Sequence, residues 1–440
     1  MKRTKMITAT SLILASALVG CTIPGNSNST TLPINVNNPL KQNNANNLGA
    51  QAEKLTITEE PTEEEMRALS GAAIDVFYNT IAQGEEGENI LLSPASLTFA
   101  LAMTENGARG QTLDEMEKYV NGDISIEDLN VLLYNLSSKL EDSKGVDWSV
   151  ANSIWLNDDG ETVYSKDFIN KAVSYYNAEV LSETFKEETI KEVNDWISDH
   201  TKGRIDNVLQ QLDPSARVIL VNAICFDGEW EEKYEEDRIY ENRKFYNSDG
   251  TTSDVTMLGS NENRYFELGE GVGFIKPYKG GEFSFVGILP NEGVSTEEYI
   301  KGLNESGADF SEAIRNAQNQ EVIVTMPEFK ADTYKSMIEI YQQMGMVTPF
   351  SETDADLSGM FEGAENDCTW ISQILHKTYI EVDRKGTKAA AATVVVVDKC
   401  TAVMPEATTP VITLDRPFVY AIVDNETGVP IFIGVENNMK

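Results

Sequence analysis

Histidine and basic residues are scarce in this chain of 440 residues. Only two histidines occur, His200 and His376, which leaves few candidates for a general base. Lysine and arginine together number 35 against 71 aspartate and glutamate residues, so the formal net charge is −36. Such an acidic chain is a poor partner for nucleic acid, and we expect none. The acids are spread along the sequence, as in a solvated surface.

Motifs of catalysis and of cofactor binding are also missing. The sequence contains no GxSxG nucleophile elbow, no CxxC pair, no cluster of histidines and no glycine-rich phosphate loop. One alternative is a thiol dyad between Cys400 and a histidine. The neighbouring Lys399 and Thr401, however, match no known sequence context of a catalytic cysteine. We therefore expect a protein that is not an enzyme and that uses no cofactor or metal.

The four cysteines show no spacing typical of a disulfide framework. Cys225 lies in the apolar run VNAICF and is predicted to be a buried strand residue. Cys21 follows a basic start and an apolar stretch too short to span a bilayer. The residues LVGC that end at Cys21 resemble a bacterial lipobox, whose cysteine carries a diacylglycerol after cleavage. Residues 1–20 are thus predicted to be a lipoprotein signal peptide, with a plain secretory signal as the alternative.

Residues 21–60 are rich in Asn, Ser, Thr and Pro and almost free of aromatic residues. Such a segment buries too little apolar surface to fold, so it is predicted to be a disordered tether. No second hydrophobic run is long enough to cross a bilayer. We expect residues 61–440 to form the folded part, anchored by lipid at a bacterial cell surface or secreted.

Helical periodicity dominates the first part of residues 61–440, and strand-like runs follow. Helices are predicted over EEEMRALSGAAIDVFYNTIA, SPASLTFALAMTENGARG, 129–140 and 166–176, with further helices between residues 296 and 345. The predicted strands are VDWSVANSIWLN, RVILVNAICF, VGFIKPY, FSFVGILP, EVIVTMPEF, YIEV, PVITL, RPFVYAIVD and VPIFIGV. This order favours an α+β domain with mainly antiparallel or mixed sheets over an alternating βαβ fold.

The segment DRKGTKAAAATVVVVDKCTAVMP, residues 383–405, fits neither an ordinary core strand nor an ordinary loop. Four alanines favour a helix and four valines favour a strand. With the alternation of a strand, Thr387 lies on an uncharged face and Lys388 on the opposite one. Gly386 is predicted to be a hinge, because glycine tolerates unusual backbone angles. The simpler alternative is a buried strand followed by a turn.

Eight separated stretches resemble one family, the serpins, and occur in the order of that family. They are NILLSPASLTFALAMTENGARGQTLDEM, EVNDWISDHTKGRIDNVL, VNAICFDGEW, FVGILP, MPEFK, ADLSGM, HKTYIEVDRKGTKAAAAT and RPFVYAIVDNETGVPIFIGV. The resemblance implies a single domain of three β-sheets and eight or nine helices, with an exposed reactive-centre loop at about residues 384–410. It also implies inhibition as a suicide substrate. A protease cleaves the loop, and the loop then inserts into the main sheet and traps the acyl-enzyme.

Several residues take roles from the resemblance, each at the position that matches the family. Counting from Gly386 places the scissile bond at Cys400 and Thr401. Cys400 suggests an elastase-like target, and the adjacent Lys399 a trypsin-like one. The implied hinge is Gly386, Thr387, Ala389, Ala390, Ala391, Ala392 and Thr393. The implied shutter, a polar cluster beneath the main sheet, is Ser93, Ser96, Asn222 and His376, and Trp230 matches the tryptophan of the breach, where the loop first inserts.

Two positions depart from the family. Arg384 replaces a usual glutamate near the hinge, which we expect to weaken a contact that holds the loop in place, and Lys388 replaces another on the outward face. The resemblance implies a monomeric inhibitor of a serine protease. The alternatives are a serpin-fold binding protein without inhibitory activity and an inhibitor that traps cysteine proteases.

Overall fold

Two β-sheets with helices packed around them make up the chain in the computed structural model, which describes residues 10–17, 46–203, 207–212, 216–363, 369–387 and 409–439. Within these ranges there are nine α-helices. They are α1 (Glu63–Ala82), α2 (Pro94–Glu105), α3 (Gly110–Tyr119), α4 (Ile126–Asp142), α5 (Lys166–Tyr176), α6 (Glu187–His200), α7 (Thr296–Ser306), α8 (Phe310–Arg315) and α9 (Ile338–Met344).

The strands in the same ranges are β1 (Thr10–Ala17), β2 (Asn46–Asn47), β3 (Ile90–Leu92), β4 (Val146–Asn157), β5 (Glu179–Glu183), β6 (Val218–Glu229), β7 (Ile239–Tyr246), β8 (Thr252–Leu268), β9 (Gly271–Pro277), β10 (Phe283–Pro290), β11 (Gln318–Pro327), β12 (Phe329–Ser336), β13 (Thr369–Asp383), β14 (Gly386–Thr387), β15 (Val411–Thr413), β16 (Phe418–Asp424) and β17 (Pro430–Glu436). The predicted helix 63–82 and strand 146–157 have these bounds in the structure.

Local capping explains where the first two helices begin. Thr62 accepts a hydrogen bond from the backbone of Glu65, whose carboxylate accepts one from the backbone of Thr62. This reciprocal pair satisfies two amide groups that a helix start leaves unpaired. The Ser93 hydroxyl caps α2 by accepting a hydrogen bond from the backbone of Ser96, and Pro94 fits the first turn because it needs no amide hydrogen. All residues of α2 are buried, since α2 packs between β6 and β17.

The large sheet has the order β2, β5, β4, β6, then β14, then β13 and β12. β4 runs antiparallel to β6, and β12 antiparallel to β13. β14 is short and lies between β6 and β13 at one end, antiparallel to both. We call this end, at Glu229 of β6 and Asp383 of β13, the top of the large sheet.

Below β14, the position between β6 and β13 is filled by β1, which we call the leader strand. Its register runs from Thr10 opposite Thr369 to Ala17 opposite Lys377, parallel to β13. On its other side it pairs in parallel with β6, as far as Ala17 opposite Ala223. Residues of the predicted signal peptide therefore form an inner strand of the lower part of the sheet.

The second sheet has nine strands, in the order β15, β11, β8, β9, β10, β16, β17 and β3, with β7 beside β8. β8 is 17 residues long. It pairs with β7 and β11 over residues 252–265 and with β9 over residues 265–268. One long strand thus joins two sheets that the resemblance counts separately. In the part of the chain that the structure describes, no helix is long and apolar enough to cross a membrane.

Candidate functional site

A tight turn sends the chain from β13 back into the large sheet. The Asp383 side chain accepts hydrogen bonds from the backbone of Lys385 at 2.6 Å and of Gly386 at 3.0 Å. Aspartate favours such turns because its carboxylate satisfies backbone amides two and three residues ahead. After the turn, Gly386 lies opposite Asp383 and Glu229, and Thr387 opposite Val382 and Gly228. The first two residues of the predicted hinge are thus a strand of the sheet.

Gly386 is required by close packing. A Cβ atom added there would lie 1.9 Å from the carbonyl oxygen of Gly228 and 2.8 Å from the Cα of Glu229. Gly386 is not among the glycines with positive φ. In this structure glycine is needed at position 386 because β6 leaves no room for a side chain, and the hinge role of Gly386 stays a prediction.

Thr387 is the first side chain of the loop that points into the core, in agreement with its predicted uncharged face. Its exposed fraction is 1%, and its hydroxyl hydrogen bonds to the hydroxyl of Tyr278 at 2.6 Å. Burial raises the pKa of Tyr278 far above its usual value, so this phenol stays neutral. Tyr278 therefore provides a hydrogen-bond partner for a small polar side chain at position 387. It provides no oppositely charged partner for a charged side chain there.

Trp230 packs beneath the turn. Its indole ring stacks on the ring of Tyr278, with centroids 4.6 Å apart and planes at 10°. The indole nitrogen donates to the carbonyl of Asp383 at 2.9 Å, and the backbone nitrogen donates to the carbonyl of Lys385 at 3.0 Å. Trp230 thus holds both ends of the turn, in the place where the resemblance locates the breach.

A bidentate ion pair fixes the outside of the turn. The Arg384 guanidinium donates to the Glu328 carboxylate at 2.9 Å and 3.2 Å. These hydrogen bonds raise the pKa of Arg384 above its usual value. We expected the substitution of the family's glutamate by arginine to weaken a contact here. The structure instead gives Arg384 a partner of opposite charge between β11 and β12.

The four residues of the predicted shutter meet in the core, although they come from distant parts of the chain. The backbone of Ser93 donates to Nε2 of His376 at 3.1 Å, and the backbone of Ser96 donates to Oγ of Ser93 at 3.2 Å. The Ser96 hydroxyl donates to the Asn222 side-chain oxygen. Asn222 in turn donates to the side chain of Asn152 at 2.7 Å. We call these five residues the polar cluster.

Within the polar cluster His376 is held in its neutral form. Its side chain is fully buried, and burial lowers its pKa to about 3. Because Nε2 accepts a hydrogen bond from the backbone of Ser93, its ring proton is assigned to Nδ1. Through α2, the cluster connects β13, which carries His376, with β6, which carries Asn222.

The family model described as serpin, serine protease inhibitor, matches residues 69–439. This chain belongs to the serpin family. The leukocyte elastase inhibitor A of Rattus norvegicus is 30% identical over 398 residues, which cover 84% of this chain and 99% of that protein.

Solved serpin structures resemble this serpin in fold. The native state of the thermophilic serpin tengpin matches with a TM-score of 0.79 and 37% identity, over 90% of this chain and 100% of that one. The latent state of tengpin matches less closely, with a TM-score of 0.72. Human thyroxine-binding globulin in complex with thyroxine has a TM-score of 0.72 over 86% of this chain and 99% of that one, and at 22% identity it shows the fold alone.

Several predicted positions of this serpin lie outside the described residues. They are Cys21, Lys388, Ala389, Ala390, Ala391, Ala392, Thr393, Lys399, Cys400 and Thr401. Cys225, by contrast, is described and is 1% exposed within β6, as predicted.

The sequence reasoning missed two partners in this site. Asn152 lies directly opposite Asn222 in the pairing of β4 with β6. Both asparagines lie in the interior of strands that are otherwise mainly apolar, which is a signal that the sequence contained. Tyr278, the partner of Thr387, carried no such signal, because it follows another strand 109 residues away in the sequence.

Proposed function

We propose that this serpin inhibits serine endopeptidases as a suicide substrate, from a lipid anchor at a bacterial cell surface. The observation that supports this function is the position of β14. Gly386 and Thr387 are paired between β6 and β13, with Thr387 buried and hydrogen bonded. This pairing at the top of the sheet supports a loop that inserts farther along the same path, the lower part of which the leader strand occupies in this structure.

The direction of the strands suits this continuation. β6 and β13 run parallel to each other, since both are parallel to the leader strand between them. A loop that turns back after β13 is antiparallel to both neighbours, as β14 already is. Inserting roughly fifteen residues at about 3.3 Å each would carry an attached protease about 50 Å along the sheet. Each inserted residue gains ladder hydrogen bonds, and the valines after Thr393 suit a strand.

The proposed scissile bond joins Cys400 to Thr401. Cysteine is a small apolar residue, which suits the primary pocket of an elastase-like protease, and Lys399 offers a trypsin-like protease a bond one residue earlier. The test is incubation with elastase-like, trypsin-like, subtilisin-like and papain-like proteases. We expect a covalent complex that resists SDS with a serine protease, and mass spectrometry should find a released peptide that begins at Thr401.

Three results would contradict parts of this proposal. Cleavage by every protease without any covalent complex would refute inhibition and favour a binding protein with a serpin fold. A cleaved form that is no more heat-stable than the intact protein would show that the loop does not insert. A complex with the papain-like protease alone would indicate a cysteine protease inhibitor.

The lipid anchor needs a separate experiment. In a bacterial host fed labelled palmitate, we expect the protein to carry the label and to enter the detergent phase. The Cys21→Ser variant should lose both properties, whereas the matched Cys400→Ser variant should keep them. A labelled Cys21→Ser protein would refute the anchor, and an unlabelled, cleaved and secreted wild type would indicate a plain secretory signal.

A further inference from the structure

A buried ion pair lies beside the breach, between β8 and β9 of the second sheet. The Lys276 ammonium lies 2.8 Å from the Glu262 carboxylate, and the two side chains are 3% and 7% exposed. Lys276 lies opposite Phe285 of β10, and Glu262 lies opposite Val322 of β11. Two charges are costly to bury, and apolar residues of similar volume often give a protein equal or greater stability. The stability of the fold alone therefore does not explain this pair.

The ammonium of the pair faces two aromatic rings from the segment that ends β6 and follows it. Lys276 Nζ lies 4.6 Å from the centroid of the Tyr234 ring and 5.4 Å from that of the Trp230 ring. A cation is attracted to the negative face of an aromatic ring, most strongly to tryptophan and where water is excluded. The two rings meet edge to face, with centroids 6.3 Å apart and planes at 90°. The ammonium therefore favours one orientation of Trp230.

Trp230 carries this orientation to the turn of the loop. Its indole nitrogen donates to the carbonyl of Asp383 at 2.9 Å, and its backbone nitrogen donates to the carbonyl of Lys385 at 3.0 Å. Tyr278, which stacks on the same indole, follows Lys276 by two residues in the sequence. The end of β9 thus provides both the cation and the phenol ring that hold the indole, and the indole holds the turn.

We propose that the ion pair of Lys276 and Glu262 is a positioning device for loop insertion. It holds Trp230, and through Trp230 the turn at residues 383–386, in the orientation in which the loop enters the sheet. This role rests on the proposed function, because it concerns the rate at which the loop inserts. Loss of the cation loosens the turn and delays insertion, so more acyl-enzyme hydrolyses before it is trapped. Lys276 and Glu262 act through Trp230 and are therefore positioning residues.

The experiment compares the wild type with Lys276→Met/Glu262→Leu, which removes both charges and keeps apolar side chains of similar size. The midpoint of urea unfolding should be no lower than in the wild type. The backbone amide of Trp230 should nevertheless exchange its hydrogen about tenfold faster, because the turn opens locally more often. With a serine protease that forms a covalent complex with the wild type, the variant should give about threefold less complex and more cleaved protein.

Three further variants separate the cation from packing. Lys276→Gln/Glu262→Gln also lacks the cation but can form a hydrogen bond between two amides, so it should behave like the apolar variant. Lys276→Arg keeps a cation at this position and should restore slow exchange and the yield of complex. Lys244→Gln/Asp254→Asn removes an ion pair between β7 and β8 whose side chains are 52% and 61% exposed. This control should change neither measurement.

Different results would overturn different parts of the proposal. Wild-type exchange at Trp230 in both variants that lack the cation would overturn the hold of the ion pair on Trp230. Faster exchange with an unchanged yield of complex would overturn its role in insertion. An equal loss in Lys276→Arg would show that packing and not charge positions the indole. A wild type that forms no covalent complex with any protease would instead refute the proposed function, whereas amide exchange would still test the hold on Trp230.

Discussion

At the top of the large sheet, β6 and β13 are joined through residues of the loop itself, whereas lower down they are joined through the leader strand between them and through hydrogen bonds to the start of α2. The upper contacts are the pairing of Gly386 and Thr387, and the aromatic stack beneath them. The lower contacts are the hydrogen bonds of the polar cluster, which do not involve the loop. Substitutions at the top should therefore act on loop insertion, and substitutions in the polar cluster should act on the stability of the whole domain.

The largest expected effect is at the top. Thr387→Arg would place a charge where a neutral hydroxyl contacts Tyr278 and where only 1% of the side chain is exposed. Burying an unpaired charge costs several kcal/mol, which would slow insertion about a hundredfold or more. On gels, the protease should cleave the variant without forming the covalent complex. Lys388→Arg, on the predicted outward face, is the control, and an equal loss of complex there would refute the parity of the loop.

The second prediction concerns the lower part of the large sheet, between β6 and β13. The leader strand occupies the position that the inserted loop would take. A chain that keeps residues 1–20 should form covalent complex about tenfold more slowly than one that begins at Cys21, because the two segments compete at high local concentration. Leu14→Pro in the longer chain should restore the rate, since proline cannot donate to the ladder. Equal rates for all three chains would show that the leader strand does not block insertion.

The third prediction uses pH to distinguish the polar cluster from the top of the large sheet. Burial lowers the pKa of His376 to about 3, below the value of about 6.5 that an unfolded histidine has. The unfolded chain therefore binds the extra proton first, and the stability that neutral His376 provides is lost as the pH falls below about 6.5. This loss amounts to about 1.4 kcal/mol per pH unit until the folded pKa is reached.

Urea unfolding between about pH 6.5 and pH 5 measures this slope. The difference in unfolding free energy between the wild type and His376→Gln should shrink as the pH falls. His200→Gln is the matched control. Burial lowers the pKa of His200, but the hydrogen bonds to Glu179 and to the Trp196 carbonyl outweigh it and raise the pKa. The contribution of His200 is present throughout this window, so its removal should leave the slope unchanged. A constant difference for His376→Gln would contradict the buried neutral imidazole.

The smallest expected effect is at the outside of the turn. The side chains of Arg384 and Glu328 are 41% and 24% exposed, so water screens their ion pair. Arg384→Gln should lower the unfolding free energy by at most about 1 kcal/mol, and less at high salt. Lys330→Gln, which removes a similarly exposed pair between β12 and Glu381 of β13 that holds no residue of the turn, is the control. A larger rise in the rate of complex formation for Arg384→Gln than for Lys330→Gln would show that the pair restrains the loop.

The sequence alone determined the local features of this protein. The helix at Glu63 and the strand from Val146 to Asn157 follow from capping and from the spacing of apolar residues. The inward position of Thr387 follows from the alternation of a strand. These features depend on residues that are close in sequence, so one sequence is enough to predict them. The family order then supplied Ser93, Ser96, Asn222 and His376, which the structure brings together.

Only the tertiary structure decided the partners across the sheet. Tyr278 meets Thr387, Arg384 meets Glu328 and Lys276 meets Glu262, and in each case the two residues come from different strands or turns. The need for glycine at position 386 likewise arises from the backbone of β6. The position of the leader strand is set by strand pairing with β6 and β13. Contacts between distant segments depend on register and packing, which local patterns in a sequence do not encode.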